Sequence, residues 1–90
     1  MAAKTPDSVR TENFGQNTLY VATFSTNDID DGDTWASNIT TAIAWWGNLT
    51  DDGTQEKEGL DIGYTQTTGS FTFYTSEANR TGLVYILAKT

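Results

Sequence analysis

An apolar run at residues 82–89, Gly-Leu-Val-Tyr-Ile-Leu-Ala-Lys, most constrains what this chain can fold into. Six consecutive apolar residues stand between a glycine and a lysine, which is too short a run to span a membrane as a helix. The valine, isoleucine and tyrosine within it favour a strand over a helix. Both faces of that strand are apolar, and only a central strand, or one covered by a second layer or a neighbouring subunit, buries both. The run therefore predicts the central strand of a small β domain.

Four other segments have the composition and patterning of strands. Residues 17–25 are apolar on both faces and are expected to pair with the C-terminal strand, and residues 41–47 form a further strand. Residues 60–65 and 70–75 flank a Thr-Thr-Gly turn and predict a hairpin with Leu60, Ile62, Tyr64, Phe71 and Phe73 pointing inward. The sequence thus predicts an all-β protein: a small single-domain β-sandwich or partly open barrel of five to six mainly antiparallel strands, with at most one short helical turn.

The chain divides into an N-terminal arm, residues 1–17, and a β domain, residues 18–90. The arm is polar, and after Met1 its sizeable apolar side chains are Val9 and Phe14. An edge strand over residues 8–14 is one interpretation, and a flexible leader is another. A third is an extension that crosses onto a neighbouring subunit by strand addition.

Composition excludes several classes of function. The chain of 90 residues contains no cysteine and no histidine, so the commonest general bases, thiolate nucleophiles and transition-metal ligands are missing together. We therefore expect no enzymatic activity and no cofactor. A net charge of −7, from 12 acidic and 5 basic side chains, disfavours nucleic acids and anionic membrane surfaces as partners. A small domain without disulfides or zinc often gains stability from subunit contacts, so a homo-oligomer is expected.

The most acidic stretch, residues 27–34, is similar to the loop of a calcium site. Oxygen ligands crowded on a tight turn suit calcium, and the candidate ligands are Asp28, Asp30, Asp31 and Asp33. In an EF-hand loop, however, Gly32 would stand one place too early, and Ile39 would take the place of the closing glutamate. The sequence favours an Asp-Gly turn in which Asp33 caps a short helical turn.

Exposed aromatic side chains are the candidates for protein contacts. Trp45 and Trp46 fall on opposite faces of one predicted strand, so both cannot enter one thin core. We expect one of them in an interface or a shallow groove, and the alternative is that both are buried against loops. Together with Trp35 and Phe14 they form the candidate interface set. An alternative is a sugar-binding platform of exposed rings with nearby Asp and Asn as polar partners.

Residues 28–37, Asp-Ile-Asp-Asp-Gly-Asp-Thr-Trp-Ala-Ser, resemble short structural proteins encoded by tailed bacteriophages. The segments 69–74, 77–80 and 84–87 are similar to the same proteins, and the likeness covers residues 14–90. It implies a virion structural role, best matched by a β-rich capsid decoration, or cement, protein. The implied partners are the protein itself and a major capsid protein.

Two alternatives stay open: another virion component, such as a tail-tube, head-completion or fibre protein, or a small carbohydrate-binding β-module. The first residues show no secretory signal, so we expect synthesis in the host cytoplasm before incorporation into the virion. Loss of the Trp45 or Trp46 side chain is expected to leave a folded protein that no longer assembles.

Overall fold

The computed structural model describes residues 2–50, 60–75 and 79–89, and the elements of this part of the chain are strands. Seven strands are described: β1 (Ser8–Phe14), β2 (Asn17–Ile29), β3 (Thr34–Ala36), β4 (Ala42–Leu49), β5 (Asp61–Thr65), β6 (Ser70–Tyr74) and β7 (Arg80–Lys89). The all-β prediction is confirmed, with seven strands where five to six were expected. Within the described residues there is no helix long and apolar enough to span a membrane.

The strands form two antiparallel sheets. The larger sheet has the order β1-β2-β7-β4, and the smaller one has the order β3-β6-β5. The C-terminal strand β7 lies in the middle of the larger sheet, and it pairs with β2 on one side and β4 on the other. The predicted central position of β7 and its pairing with β2 are confirmed.

The smaller sheet covers one face of the larger sheet, and aromatic rings fill the space between them. Phe24 of β2 packs edge-on against Trp35 of β3 and Phe73 of β6, with ring centroids 6.0 and 5.3 Å apart. The ring centroids of Trp45 in β4 and Tyr64 in β5 are 4.7 Å apart. The smaller sheet thus covers β2, β7 and β4, whereas all seven residues of β1 are exposed. The buried hydrophobic cluster comprises Ala22, Phe24, Ile29, Trp35, Ile39, Leu60, Phe71, Phe73, Val84, Ile86 and Ala88.

Two local predictions have different outcomes. The hairpin of residues 60–65 and 70–75 is confirmed: β5 and β6 pair, and Phe71 and Phe73 are fully buried. The helical turn after Asp33 is wrong, because Thr34–Ala36 is strand β3, which pairs with β6. Pairing with β6 buries Trp35 in the core, and this gain outweighs a local cap.

The N-terminal segment, residues 2–7, connects the two sheets at one side of the sandwich. Ala2 accepts a hydrogen bond from Thr34 N–H (2.8 Å), and Lys4 N–H donates to Thr34 C=O (2.7 Å), so this segment lies along the edge of β3. Pro6 is buried. The chain then enters β1, which pairs with β2 of the same molecule. Residues 8–14 are therefore an edge strand of the chain's own sheet.

Candidate functional site

Asp33 is the buried centre of the acidic loop, with only 1% of its surface exposed. Its Oδ1 accepts a hydrogen bond from Ala2 N–H (3.0 Å), and its Oδ2 accepts one from Asp30 N–H (2.8 Å). The Lys4 ammonium lies 3.6 Å from Asp33 Oδ2 and donates to Asp28 Oδ1 at 3.3 Å. Both carboxylate oxygens of Asp33 are therefore used in holding the N-terminal segment and the loop together.

The Lys4 ammonium is held in its charged form. Burial by itself lowers the pKa of Lys4, but the hydrogen bond to Asp28 and the charges of Asp33, Asp28 and Asp30 together raise it above the ordinary value. Lys4 thus carries its positive charge at neutral pH and balances part of the acidic loop.

The remaining loop carboxylates also accept hydrogen bonds from backbone amides. Asp30 Oδ1 accepts from Asn79 N–H at 2.6 Å, and Asp31 Oδ1 accepts from Thr75 N–H at 3.1 Å. Gly32 supplies the expected turn, with φ at +87°. These bonds direct the carboxylates to separate parts of the backbone. Within residues 2–50, 60–75 and 79–89, no group of three or more acidic side chains could hold a metal ion.

Calcium is expected to leave the stability of the fold unchanged. To bind calcium, Asp30, Asp31 and Asp33 would have to give up hydrogen bonds that they accept from backbone amides. Breaking these bonds is an energetic cost that free, exposed carboxylates would not have. Thermal melting in calcium and in EDTA should give the same midpoint. A midpoint that rises with calcium concentration would contradict this, since a ligand of the native state stabilises it by mass action.

Asp7 is a structural residue that the sequence analysis missed. Its carboxylate accepts hydrogen bonds from three consecutive amides, those of Ser25 (2.6 Å), Thr26 (2.8 Å) and Asn27 (3.2 Å). These amides lie where the register between β2 and β7 shifts, between Phe24 and Ile29. The bonds occupy donors that the interrupted ladder leaves without strand partners. The Pro-Asp pair is a turn signal, but no local pattern identifies partners so far along the chain.

The candidate interface tryptophans separate into core and surface. Trp35 is only 7% exposed and packs between the two sheets. Trp45 also faces the smaller sheet, and its indole N–H donates to Ile62 C=O at 3.3 Å. Trp46 points to the opposite face of β4 and is 45% exposed, while Phe14, at the end of β1, is 58% exposed. Trp46 and Phe14 are thus the members of the set that the fold leaves available for contact.

Trp46 belongs to an apolar surface that the smaller sheet does not cover. Its ring stacks on Tyr85 of β7, with centroids 5.4 Å apart and planes 7° from parallel. The strand registers place Val21 beside Tyr85 in the same row, and Leu19, Leu87 and Ala44 in the next row. We call this surface the outer face. By register its members are Leu19, Val21, Ala44, Trp46, Leu83, Tyr85 and Leu87. Trp46 is exposed, Val21 is buried, and the others are half-buried.

An open hollow lies beside the outer face, at the turn between β1 and β2. Its lining residues are Gly15, Gln16, Asn17 and Lys89. The lining has a single ionisable side chain, that of Lys89, so the hollow offers no paired acid and base. The outer face is therefore the stronger candidate for a functional surface.

No family model matches the chain, and neither a curated protein nor a solved structure is significantly similar to it.

Proposed function

We propose that this protein is a non-enzymatic structural component of a tailed-bacteriophage virion, most simply a decoration protein that binds the capsid shell through its outer face. The observation that carries the proposal is the apolar side of the larger sheet that the described smaller sheet leaves uncovered, with Trp46 stacked on Tyr85. The likeness in sequence pattern noted for residues 14–90 suggests the same role. A tail-tube, head-completion or fibre position would use the same surface.

The outer face has the composition of a contact surface. Specific protein interfaces centre on a few aromatic anchors within an apolar patch that excludes water. Trp46 supplies an anchor whose orientation is already fixed by Tyr85, so little side-chain entropy is lost when a partner covers it. Charged side chains, Arg10 and Glu12, occupy the β1 border of this face. An apolar centre with a charged border is the usual arrangement of a protein interface.

The carbohydrate-binding alternative has less support from the same geometry. Stacking on Tyr85 occupies one face of the Trp46 ring, and Trp35 and Trp45 are turned toward the core. The carboxylates of Asp30 and Asp31, which would serve as polar partners of a sugar, accept hydrogen bonds from backbone amides. A row of open rings with free polar partners is what a sugar platform requires.

Trp46→Ser is expected to weaken shell binding by roughly 30-fold or more, because loss of an aromatic anchor costs about 2 kcal/mol. Purified protein would be mixed with undecorated shells of the phage that encodes it, and binding would be measured by co-sedimentation. Tyr74→Ser is the matched control, since Tyr74 is 50% exposed on the smaller sheet. Trp45→Ser is unsuitable, because Trp45 packs against Tyr64 and Phe71 and its loss would destabilise the fold.

The proposal predicts that the wild-type protein and the Tyr74→Ser variant bind shells in a fixed number of copies per particle. Failure of the wild-type protein to bind, together with its absence from purified particles, would overturn the virion role. Equal binding by the Trp46→Ser variant would instead show that the outer face is not the contact surface.

A further inference from the structure

The open edge of β1 is a second surface available for pairing. Among the strands that the structure describes, β1 has a neighbour on one side only, β2, and it lies beyond the cover of the smaller sheet. Its seven residues contain no proline and no lysine, and its two charged side chains, Arg10 and Glu12, are of opposite sign. Val9 is 45% exposed and Phe14 is 58% exposed. An edge of this kind is a template for another strand.

The turn between β1 and β2 determines which backbone groups face the open edge. Gly15 and Gln16 form a two-residue turn in which Gly15 has φ at +68°. Such a turn places its flanking residues, Phe14 and Asn17, in a hydrogen-bonded pair. Backbone groups of every second residue therefore face β2, and the N–H and C=O groups of the residues between face outward. The outward-facing residues are Val9, Thr11 and Asn13.

We propose that a second copy of this chain pairs with the open edge, antiparallel and with Thr11 opposite Thr11 of the second copy. This register keeps every residue of Ser8–Phe14 in the ladder and joins the outward backbone groups in hydrogen-bonded pairs. It also sets Arg10 of each copy directly opposite Glu12 of the other. The product is a two-fold symmetric dimer with one continuous eight-stranded sheet.

The charges of Arg10 and Glu12 favour this register over registers shifted by two residues. Only registers that match outward groups with outward groups can form the ladder, so the alternatives are shifts by two residues. One such shift places Arg10 opposite Arg10, and the other places Glu12 opposite Glu12. Like charges directly opposite each other destabilise a strand pair, whereas opposite charges stabilise it. The sequence of β1 thus favours a single arrangement.

The two charged side chains are already positioned for this contact. Arg10 Nε lies 3.3 Å from Glu12 Oε2 on the same side of the strand, and the side chains are 71% and 51% exposed. In the dimer, four charges of alternating sign would form one cluster across the symmetry axis. The inference does not depend on the virion role, because it concerns the pure chain in solution.

Charge reversal tests the dimer by sedimentation equilibrium over a range of concentrations. The wild-type protein should give the mass of two chains. Arg10→Glu and Glu12→Arg should each raise the dimer dissociation constant roughly tenfold or more, because each places like charges opposite one another. An equal mixture of the two variants should dimerise as the wild type does, since every opposing pair is then complementary. The double variant, which keeps the wild-type net charge, should dimerise as well.

Two further variants separate this contact from others. Thr11→Pro removes an outward N–H without touching the bonds to β2, so it should give a monomer that melts as a folded domain. Trp46→Ser should leave the dimer intact. A wild-type protein that stays monomeric at high concentration, a mass of three chains, or dimerisation abolished by Trp46→Ser alone would overturn the proposal. Recovery of dimer in the mixture of the two charge variants would support it even if Thr11→Pro failed to fold.

Discussion

Gly69→Ala should lower the free energy of unfolding by about 3 kcal/mol, a large part of the stability of a small domain. A Cβ at this position would lie 2.7 Å from the Cα and carbonyl carbon of Asn38 and from the nitrogen of Ile39. These are backbone atoms, and they cannot move away without breaking the bonds that Ser37 and Asn38 N–H donate to Gly69 C=O. The φ of +68° adds strain for any residue with a side chain.

Gly15→Ala is the matched control for that experiment. Gly15 has the same φ of +68°, but nothing lies within 4 Å of its added Cβ. Gly15→Ala should lower the free energy of unfolding by only about 1 kcal/mol, from backbone strain alone. Urea denaturation of both variants would measure the difference. Equal losses would mean that strain, and not the contact with the 37–39 backbone, dominates at Gly69.

Asp33→Asn should destabilise the protein by about 2 kcal/mol, because hydrogen bonds to a charged acceptor are strong and buried donors are costly to leave unpaired. The two oxygens of Asp33 accept from Ala2 and Asp30 N–H, and an amide side chain would direct its own NH₂ group at one of these donors. The change also weakens the attraction to Lys4, whose ammonium lies 3.6 Å away.

Asp28→Asn removes the same charge from the same loop and serves as the control. The Asp28 side chain is 31% exposed and bonds to Lys4, so its loss should cost less than about 1 kcal/mol. Denaturant midpoints of the two variants should therefore differ clearly. If Asp28→Asn were as damaging as Asp33→Asn, overall charge and not the amide bonds of Asp33 would stabilise the loop.

The sequence was informative where local chemistry determined the structure. The alternating residues of β5 and β6 and the turn between them defined a hairpin without reference to the rest of the chain. The apolar run of β7 predicted a central strand, and Val84, Ile86 and Ala88 are buried between the sheets, whereas Leu83, Tyr85 and Leu87 lie on the outer face. β3 was mistaken for a helical turn because Asp33-Thr34-Trp35 has a capping pattern, whereas its strand geometry comes from β6 and residues 2–4, which are distant in the sequence.

The candidate site could be predicted only in part for the same reason. Alternation places Trp45 and Trp46 on opposite faces, but which face is buried depends on where the smaller sheet packs. The bonds from Asp7 to the Ser25–Asn27 backbone join residues with no shared local pattern. Composition showed that the loop carboxylates were numerous, but it could not show that backbone amides occupy them.

The central position of β7 has a consequence for the order of events during synthesis. β2 and β4 flank β7 in the sheet but precede it along the chain, so neither has this neighbour while the ribosome is still translating residues 80–89. Until then their apolar side chains must remain in a nascent chain that cannot close its sheet. We therefore expect the larger sheet to assemble after its last strand is made, through pairings between distant segments, which fold slowly.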